Sequence, residues 1–266
     1  MKERTILVVI PVREEHRELL EEAAPGNRFV YSSIKEVSRE QVQEADIILG
    51  NVPADKIGAS KKLEWLQLNS AGADAYAGEG ILDKNTVVTT SNGAYGKTVS
   101  EHMFAMLLAM QKKLHLYRDS QNKHIWDEHG TVTSIADSTV LIFGMGDIGR
   151  HFAKMAHALG AYVIGVKKNP GNCPEYIDEP HLMKDCRELL PHADVVVSFL
   201  PSTSETRGLF NKEMFHLMKP GAFFLNGGRG DAVCTEELCE VLDEGRLAGV
   251  ALDVTKPEPL PTDHRL

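Results

Sequence analysis

Thr139-Val140-Leu141-Ile142-Phe143-Gly144-Met145-Gly146-Asp147-Ile148-Gly149 carries the decisive pattern of this chain. A short apolar run, residues 139–143, has the length and β-branched content of a buried strand. It ends in G-x-G-x-x-G, and an amphipathic helix is expected directly after it, over residues 147–159. Alone, the glycine triplet is weak evidence, because glycines gather in many turns. Between a strand and a helix it has a physical purpose. The first glycine makes the turn, the second lets a phosphate approach the backbone, and the third lets helix and strand pack closely. N–H groups at the helix N-terminus then face an incoming pyrophosphate.

Outward from this unit the same alternation continues. Towards the C-terminus, strands are expected at 162–166, 195–200, 222–226 and 247–252, with helices at 212–218 and 235–244. Towards the N-terminus, strands are expected at 5–10, 28–31, 46–49 and 65–68. Helices there fall at 14–22 and 38–44, the second opened by a Ser38 N-cap with Gln41 in the reciprocating position. Residues 98–117 read as one long helix with Met103, Leu107, Leu108 and Leu114 on an apolar face, and 119–138 as a connecting loop. Such β-α alternation gives an α/β fold of two doubly wound parallel-sheet, Rossmann-like lobes. The boundary is expected after residue 97: residues 1–97 form a substrate lobe, and residues 98–266 a dinucleotide-binding lobe.

Composition excludes other classes. The 266 residues carry 38 acidic and 29 basic side chains, a net charge of −9, which disfavours nucleic acid and anionic membranes as partners. The apolar runs at 6–10 and 103–110 are too short to span a bilayer, and no cleavable leader follows the first of them. A cytoplasmic protein is expected. Cys173, Cys186, Cys234 and Cys239 show no C-x-x-C spacing, and the histidines form no H-E-x-x-H pair, so neither a disulfide framework nor a metal is expected.

The other strand ends hold the remaining chemistry. An NAD site wants an acid at the end of the second strand to bond the ribose 2′-hydroxyl. Here Lys167-Lys168-Asn169-Pro170 follows instead, which suits a 2′-phosphate, so NADP is the expected cofactor with NAD as the alternative. In Leu225-Asn226-Gly227-Gly228-Arg229-Gly230 an arginine stands among glycines at a strand end. A solvated turn residue is the commoner outcome, yet a guanidinium there can hold a carboxylate through two parallel hydrogen bonds. Asp253 and Glu258, taken singly, read as turn residues.

Taken together, Asn69-Ser70-Ala71-Gly72-Ala73-Asp74, Val99-Ser100-Glu101-His102, the glycine loop, Leu200-Pro201 with Thr206-Arg207-Gly208, Met218-Lys219-Pro220-Gly221, Arg229-Gly230 and Leu252-Asp253-Val254 with Glu258-Pro259-Leu260-Pro261 resemble the D-isomer-specific 2-hydroxyacid dehydrogenases. That family includes phosphoglycerate dehydrogenase and glyoxylate/hydroxypyruvate reductase. The resemblance implies hydride transfer between a nicotinamide and C2 of a small 2-keto or 2-hydroxy acid. It implies Arg229 as the catalytic, substrate-binding arginine, and Glu258 as the partner that keeps a catalytic histidine protonated. Ser70, Ala71 and Gly72 would receive the substrate carboxylate. Gly144, Gly146, Asp147, Ile148, Gly149, Lys167, Lys168, Pro201, Thr206, Gly228 and Asp253 would hold the cofactor, Asp253 on its carboxamide. A flavodoxin-like substrate lobe and a homodimer are also implied.

The sequence departs from the family in three places. Lys167 stands where NAD-dependent members carry Asp. Ala136-Asp137-Ser138-Thr139 replaces the usual Gly-Lys-Thr before the glycine loop, a surface change. The family's general-acid histidine lies beyond the glutamate in a Pro-His context, and His264 matches a different histidine, in the turn just after the Glu-Pro segment. The expectation is therefore a C-terminally truncated chain, with the catalytic histidine and the segment returning to the first lobe absent, and with impaired activity. The rival class is a catalytically silent dinucleotide sensor or interaction protein on the same fold. A methyltransferase using the glycine loop is disfavoured, since it too needs an acid where Lys167 sits.

Overall fold

The computed structural model describes residues 2–169 and 171–266. The chain divides into two compact units, one ending at Ala94 and one running from Tyr95 to Leu266.

In the first unit the elements are β1 (Thr5–Val8), α1 (Glu14–Ala23), β2 (Arg28–Tyr31), α2 (Arg39–Glu44), β3 (Ile47–Leu49), α3 (Ala54–Ile57), β4 (Trp65–Gln67) and β5 (Val87–Thr89). They form a parallel sheet in the order β2-β1-β3-β4-β5, the flavodoxin-like order. Leu7, Ile48, Leu66 and Leu68 bury against Val42 and Ile57. The Ser38 capping box forms: Gln41 N–H donates to Ser38 Oγ at 3.2 Å and Ser38 N–H to Gln41 Oε1 at 2.8 Å.

The second unit contains α4 (Gly96–Gln111), α5 (Leu114–Asn122), β6 (Thr139–Phe143), α6 (Asp147–Ala158), β7 (Tyr162–Lys167), β8 (Glu179–Leu182), α7 (Cys186–Leu189), β9 (Val195–Ser198), α8 (Lys212–Leu217), β10 (Phe223–Asn226), α9 (Thr235–Asp243) and β11 (Gly249–Leu252). Its six strands are parallel, in the order β11-β10-β9-β6-β7-β8. Alternate residues of β6 face opposite layers, as a doubly wound sheet requires. Val140 and Ile142 pack with Phe152 of α6 and with Met103 and Leu107 of α4. Leu141 and Phe143 pack on the other face with Phe210, Phe215 and Phe224.

Four expectations are corrected. The long helix over 98–117 is two helices, α4 and α5, broken where Lys113 takes a left-handed φ of 56°. The returning chain rewards the break: Lys112 Nζ donates to Thr133 O at 2.7 Å, and Lys113 Nζ donates to His129 O. Because α5 extends to Asn122, the stretch 119–138 is a loop only from Lys123, interrupted by a 3-10 turn at Ile135–Asp137. Two strands add to those expected. β5 has only three residues, too few to show a period, and β8, Glu-Pro-His-Leu, lacks the β-branched residues that mark a strand. β8 tolerates Pro180 because it is an edge strand, where a missing N–H breaks no ladder on the open side.

Candidate functional site

Register places the site residues of the second unit along one line. Phe143 pairs with Val166 and Ser198, Ser198 with Asn226, and Asn226 with Leu252, so five adjacent strands, β7, β6, β9, β10 and β11, end at about one level. The ladder continues one residue further. Gly144 N–H donates to Val166 O (3.0 Å), Phe199 N–H to Phe143 O (2.8 Å), Gly227 N–H to Ser198 O (3.0 Å) and Asp253 N–H to Asn226 O (3.0 Å). The glycine loop, Lys167, Pro201, Gly228, Arg229 and Asp253 all follow this edge closely, where open α/β sheets bind their ligands.

The glycine loop has the shape of a phosphate cradle. Gly144 has φ 95°, and a Cβ there would lie 2.9 Å from Phe199 O. A Cβ on Gly149 would lie 2.0 Å from Gly144 O, so this glycine is what lets α6 start against β6. Gly146, the N-cap of α6, makes no side-chain cap, and a Cβ there would meet only open space. The first turn of a 12-residue helix thus has no side-chain cap at its N-terminus, an arrangement that can accept an anion. Asp147 has another neighbour: a Cβ on Gly96 would lie 2.2 Å from Asp147 Oδ2, so the carboxylate rests against the first residue of α4. Ile148 is half-buried beside it.

Beyond β10, Asn226 is wholly buried and holds the turn from inside. Its Nδ2 donates to Arg229 O at 2.9 Å, and Gly228 N–H donates to its Oδ1 at 3.2 Å. A Cβ on Gly228 would lie 2.5 Å from Leu200 O and one on Gly230 2.1 Å from Thr255 O, so both glycines let the turn pack between its neighbours. Arg229 Nη1 donates to Gly228 O at 2.9 Å. Asp253 Oδ1 lies 3.6 Å from His102 Nε2 of α4. Glu258 accepts from Thr255 N–H at 3.3 Å, and among the described residues it has no histidine partner. Thr206 is buried, and its hydroxyl donates to Pro201 O at 2.6 Å; it shapes the loop after β9 from within, leaving the exposed Pro201 on the surface.

The two lysines at the end of β7, Lys167 within it and Lys168 just past it, diverge, as successive residues of an extended chain must. Lys167 Nζ donates to Gly171 O and, at 3.2 Å, to Cys173 Sγ. Lys168 Nζ reaches the other way and pairs with Glu205 Oε2 at 2.9 Å. Pro170 lies outside the described residues.

In the first unit, Ser70–Gly72 follows β4. Asn51 and Asn69 brace it reciprocally: Asn51 N–H donates to Asn69 Oδ1 (3.2 Å) and Asn69 N–H to Asn51 Oδ1 (3.0 Å). Ser70 Oγ accepts from Asn51 Nδ2 at 2.9 Å and donates to Gly72 O at 2.7 Å. The N–H groups of Ala71 and Gly72 donate to nothing else among the described residues, leaving two donors for a carboxylate.

Sequence spacing misses the bracing residues Asn51, Asn69 and Asn226 and the counter-charge Glu205. It also misses Arg150, His151, Lys154 and Tyr176, which with the glycine loop line a cavity of about 510 Å³. Only the basic cluster on the first turns of the helix signals any of these. The four cysteines are free thiols, and burial pushes Cys186, Cys234 and Cys239 up in pKa, away from reactivity. Glu236, Cys239 and His264 bring metal-ligating atoms within 4.8 Å of one another. Leu266 N–H donates to His264 Nδ1 at 3.1 Å, and the other ring nitrogen, Nε2, lies 3.5 Å from Glu236 Oε1, so both ring nitrogens already have neighbours within the protein.

Residues 104–266 match the family described as D-isomer specific 2-hydroxyacid dehydrogenase, NAD binding domain. The chain is similar to a D-3-phosphoglycerate dehydrogenase of Methanocaldococcus jannaschii, 29% identical over 98% of this chain and spanning 50% of that protein. Among solved structures it resembles a D-isomer specific 2-hydroxyacid dehydrogenase family protein from Aeromonas salmonicida, with TM-score 0.87 and 32% identity over 100% of this chain and 86% of that one. It also resembles an NADPH-dependent glyoxylate/hydroxypyruvate reductase from Sinorhizobium meliloti in complex with NADP and sulfate, with TM-score 0.81 and 25% identity over 99% and 84%.

Proposed function

Because this chain belongs to the family of D-isomer specific 2-hydroxyacid dehydrogenases, we propose that it reduces a small 2-keto acid to the D-2-hydroxy acid, with NADPH favoured over NADH. The observation that carries this is the placing of Arg229 by Asn226, on the same sheet edge as the glycine loop and Asp253. A nicotinamide dinucleotide bound along that edge supplies the hydride. The glycine loop and the first turn of α6 hold the pyrophosphate, Asp253 accepts a hydrogen bond from the carboxamide, and the loops at Pro201, Thr206 and Gly228 shape the slot. Arg229 holds the substrate carboxylate and polarises the keto oxygen, and the Ser70–Gly72 turn of the first unit is, taken by itself, a carboxylate-binding turn. Glu258 is placed to keep an imidazole protonated.

The test is direct. Fluorescence titration of the chain with NADPH should saturate, and glyoxylate, hydroxypyruvate or phenylpyruvate should then drive NADPH oxidation to a D-hydroxy acid. Tight nucleotide binding with no turnover of any keto acid would instead mark a silent sensor, and no nucleotide binding would overturn both readings.

A homodimer goes with this function. Leu114 and Tyr117 of α5, with Ile125 and the fully exposed Trp126, line one apolar surface of the kind that marks an interface. Trp126→Ser with Leu114→Ser should turn a dimer into a monomer by sedimentation velocity, with the far-UV spectrum retained. No helix of the described residues is long and apolar enough to cross a membrane. A cytoplasmic location, with its reducing conditions, suits the four free thiols.

A further inference from the structure

The Lys168–Glu205 pair sits where cofactor choice is made. In the sheet, β9 and β7 flank β6, the strand that feeds the glycine loop. Lys168 stands just past the end of β7 and Glu205 in the loop after β9, so their contact passes over the end of β6. In a dinucleotide-binding sheet the adenosine ribose occupies this place, at the end of the second strand. The loop carrying Glu205 is internally fixed. Thr203 N–H donates to Thr206 Oγ1 at 2.9 Å, and Glu205 N–H donates to Thr203 Oγ1 at 3.3 Å. Ser202 Oγ donates to Asp231 Oδ2 at 2.7 Å, and Arg207 Nε donates to Ser202 Oγ at 3.1 Å, which ties the loop to the turn after Arg229. Glu205 is therefore presented by a braced loop.

We infer that Glu205 supplies, from the neighbouring loop, the carboxylate that the end of β7 lacks, and that Lys168 and Glu205 together form a cofactor selector. This rests on the dehydrogenase reading above. With NADH, the Glu205 carboxylate accepts from the ribose 2′-hydroxyl, the part played elsewhere by an acid on the strand itself. With NADPH, the 2′-phosphate takes the place of the Glu205 carboxylate on Lys168, and the displaced carboxylate opposes it. The charged residues at the end of β7 and over residues 202–206 of the loop after β9 are Lys167, Lys168 and Glu205. Lys167 is oriented by Gly171 O and Cys173 Sγ on the far side of the turn, so Lys168 is the ammonium that both nucleotides contest. The pair is about 70% exposed on each side (72% and 69%), so breaking it removes little stability and leaves its effect to be read in ligand affinity.

The two nucleotides differ only at the 2′ position, so the ratio of their dissociation constants isolates this site from the rest of the fold. Calorimetric titration of the parent chain, Glu205→Gln and Lys168→Gln with NADPH and NADH tests it without any need for turnover. In Glu205→Gln, NADPH binding should tighten and NADH binding weaken, raising the NADPH preference by about tenfold, the scale of one charge-assisted hydrogen bond. Lys168→Gln should move the preference about as far towards NADH. Raising the salt concentration should shrink both shifts, because the groups are exposed. If the parent binds both nucleotides and Glu205→Gln leaves the ratio within about twofold, the selector is wrong while the dehydrogenase reading stands. If the parent binds neither, both fall.

Discussion

Replacing Arg229 by lysine lowers the rate of keto-acid reduction by roughly 10²–10³-fold and leaves the NADPH dissociation constant near that of the parent chain. The charge is retained, so a purely electrostatic role would survive the change. What disappears is the planar fork that holds a carboxylate through two parallel bonds while also facing the keto oxygen. The backbone around it argues for a specific task. Asn226 is buried completely and uses both ends of its amide on Gly228 and Arg229, and Gly228 and Gly230 each lie where a Cβ would strike a neighbouring carbonyl. So closely packed a turn is more than a solvated loop needs. Single-turnover oxidation of bound NADPH by glyoxylate, beside a binding titration of each protein, separates the two quantities. An Arg229→Lys chain that reduces glyoxylate at the parent rate would remove Arg229 from the site. A loss of nucleotide affinity parallel to the loss of rate would reassign it to the cofactor.

The second large effect is a contrast between two glycines three residues apart. Gly149→Ala sets a Cβ 2.0 Å from Gly144 O, and that carbonyl belongs to a residue whose own N–H is bonded to Val166 O. Neither side can yield without parting α6 from the sheet. The expected result is a loss of about 3 kcal/mol of stability together with the loss of NADPH binding. Gly146→Ala meets nothing within 4 Å, and the φ of −77° there suits any residue. Its unfolding free energy should change by no more than about 1 kcal/mol, the scale of an N-cap change. Its NADPH affinity should nevertheless fall by at least about tenfold, because the new methyl stands where a phosphate must approach the first N–H groups of α6. Urea unfolding and nucleotide titration of both variants give the four numbers. A Gly146→Ala chain that binds NADPH as the parent does would show that the loop is a packing device only.

These glycines also show how far the sequence could be read. Strand 139–143, the triplet after it and the helix that follows are local: each depends on residues within one turn or one strand of each other. Strand 28–31 is found at its expected bounds, and the Ser38–Gln41 box forms as its spacing predicts. The family resemblance was legible for a related reason, since most of its motifs sit at strand ends, and strand ends are marked by where apolar runs stop. The helix break at Lys113 was not legible. The apolar spacing of Met103, Leu107 and Leu114 runs straight through it, and lysine has no special liking for a left-handed backbone. Only the carbonyls of Thr133 and His129, 21 and 16 residues further on, give Lys112 and Lys113 a reason to leave the helix.

By itself, the sequence determined the α/β alternation, the glycine turn, and which residue types stand at the strand ends, because those follow from hydrophobic period and from backbone allowed regions. Tertiary structure alone decided which of those side chains already have partners. Lys167 and Lys168, adjacent in sequence, look like one phosphate pocket; the fold sends one ammonium to Cys173 and the other to Glu205. Asp147, next to a phosphate loop by spacing, rests against Gly96 of a different helix. Charge and hydrogen bonding act through space over a few ångströms. A partner 37 residues away, as Glu205 is from Lys168, leaves no mark in any local pattern.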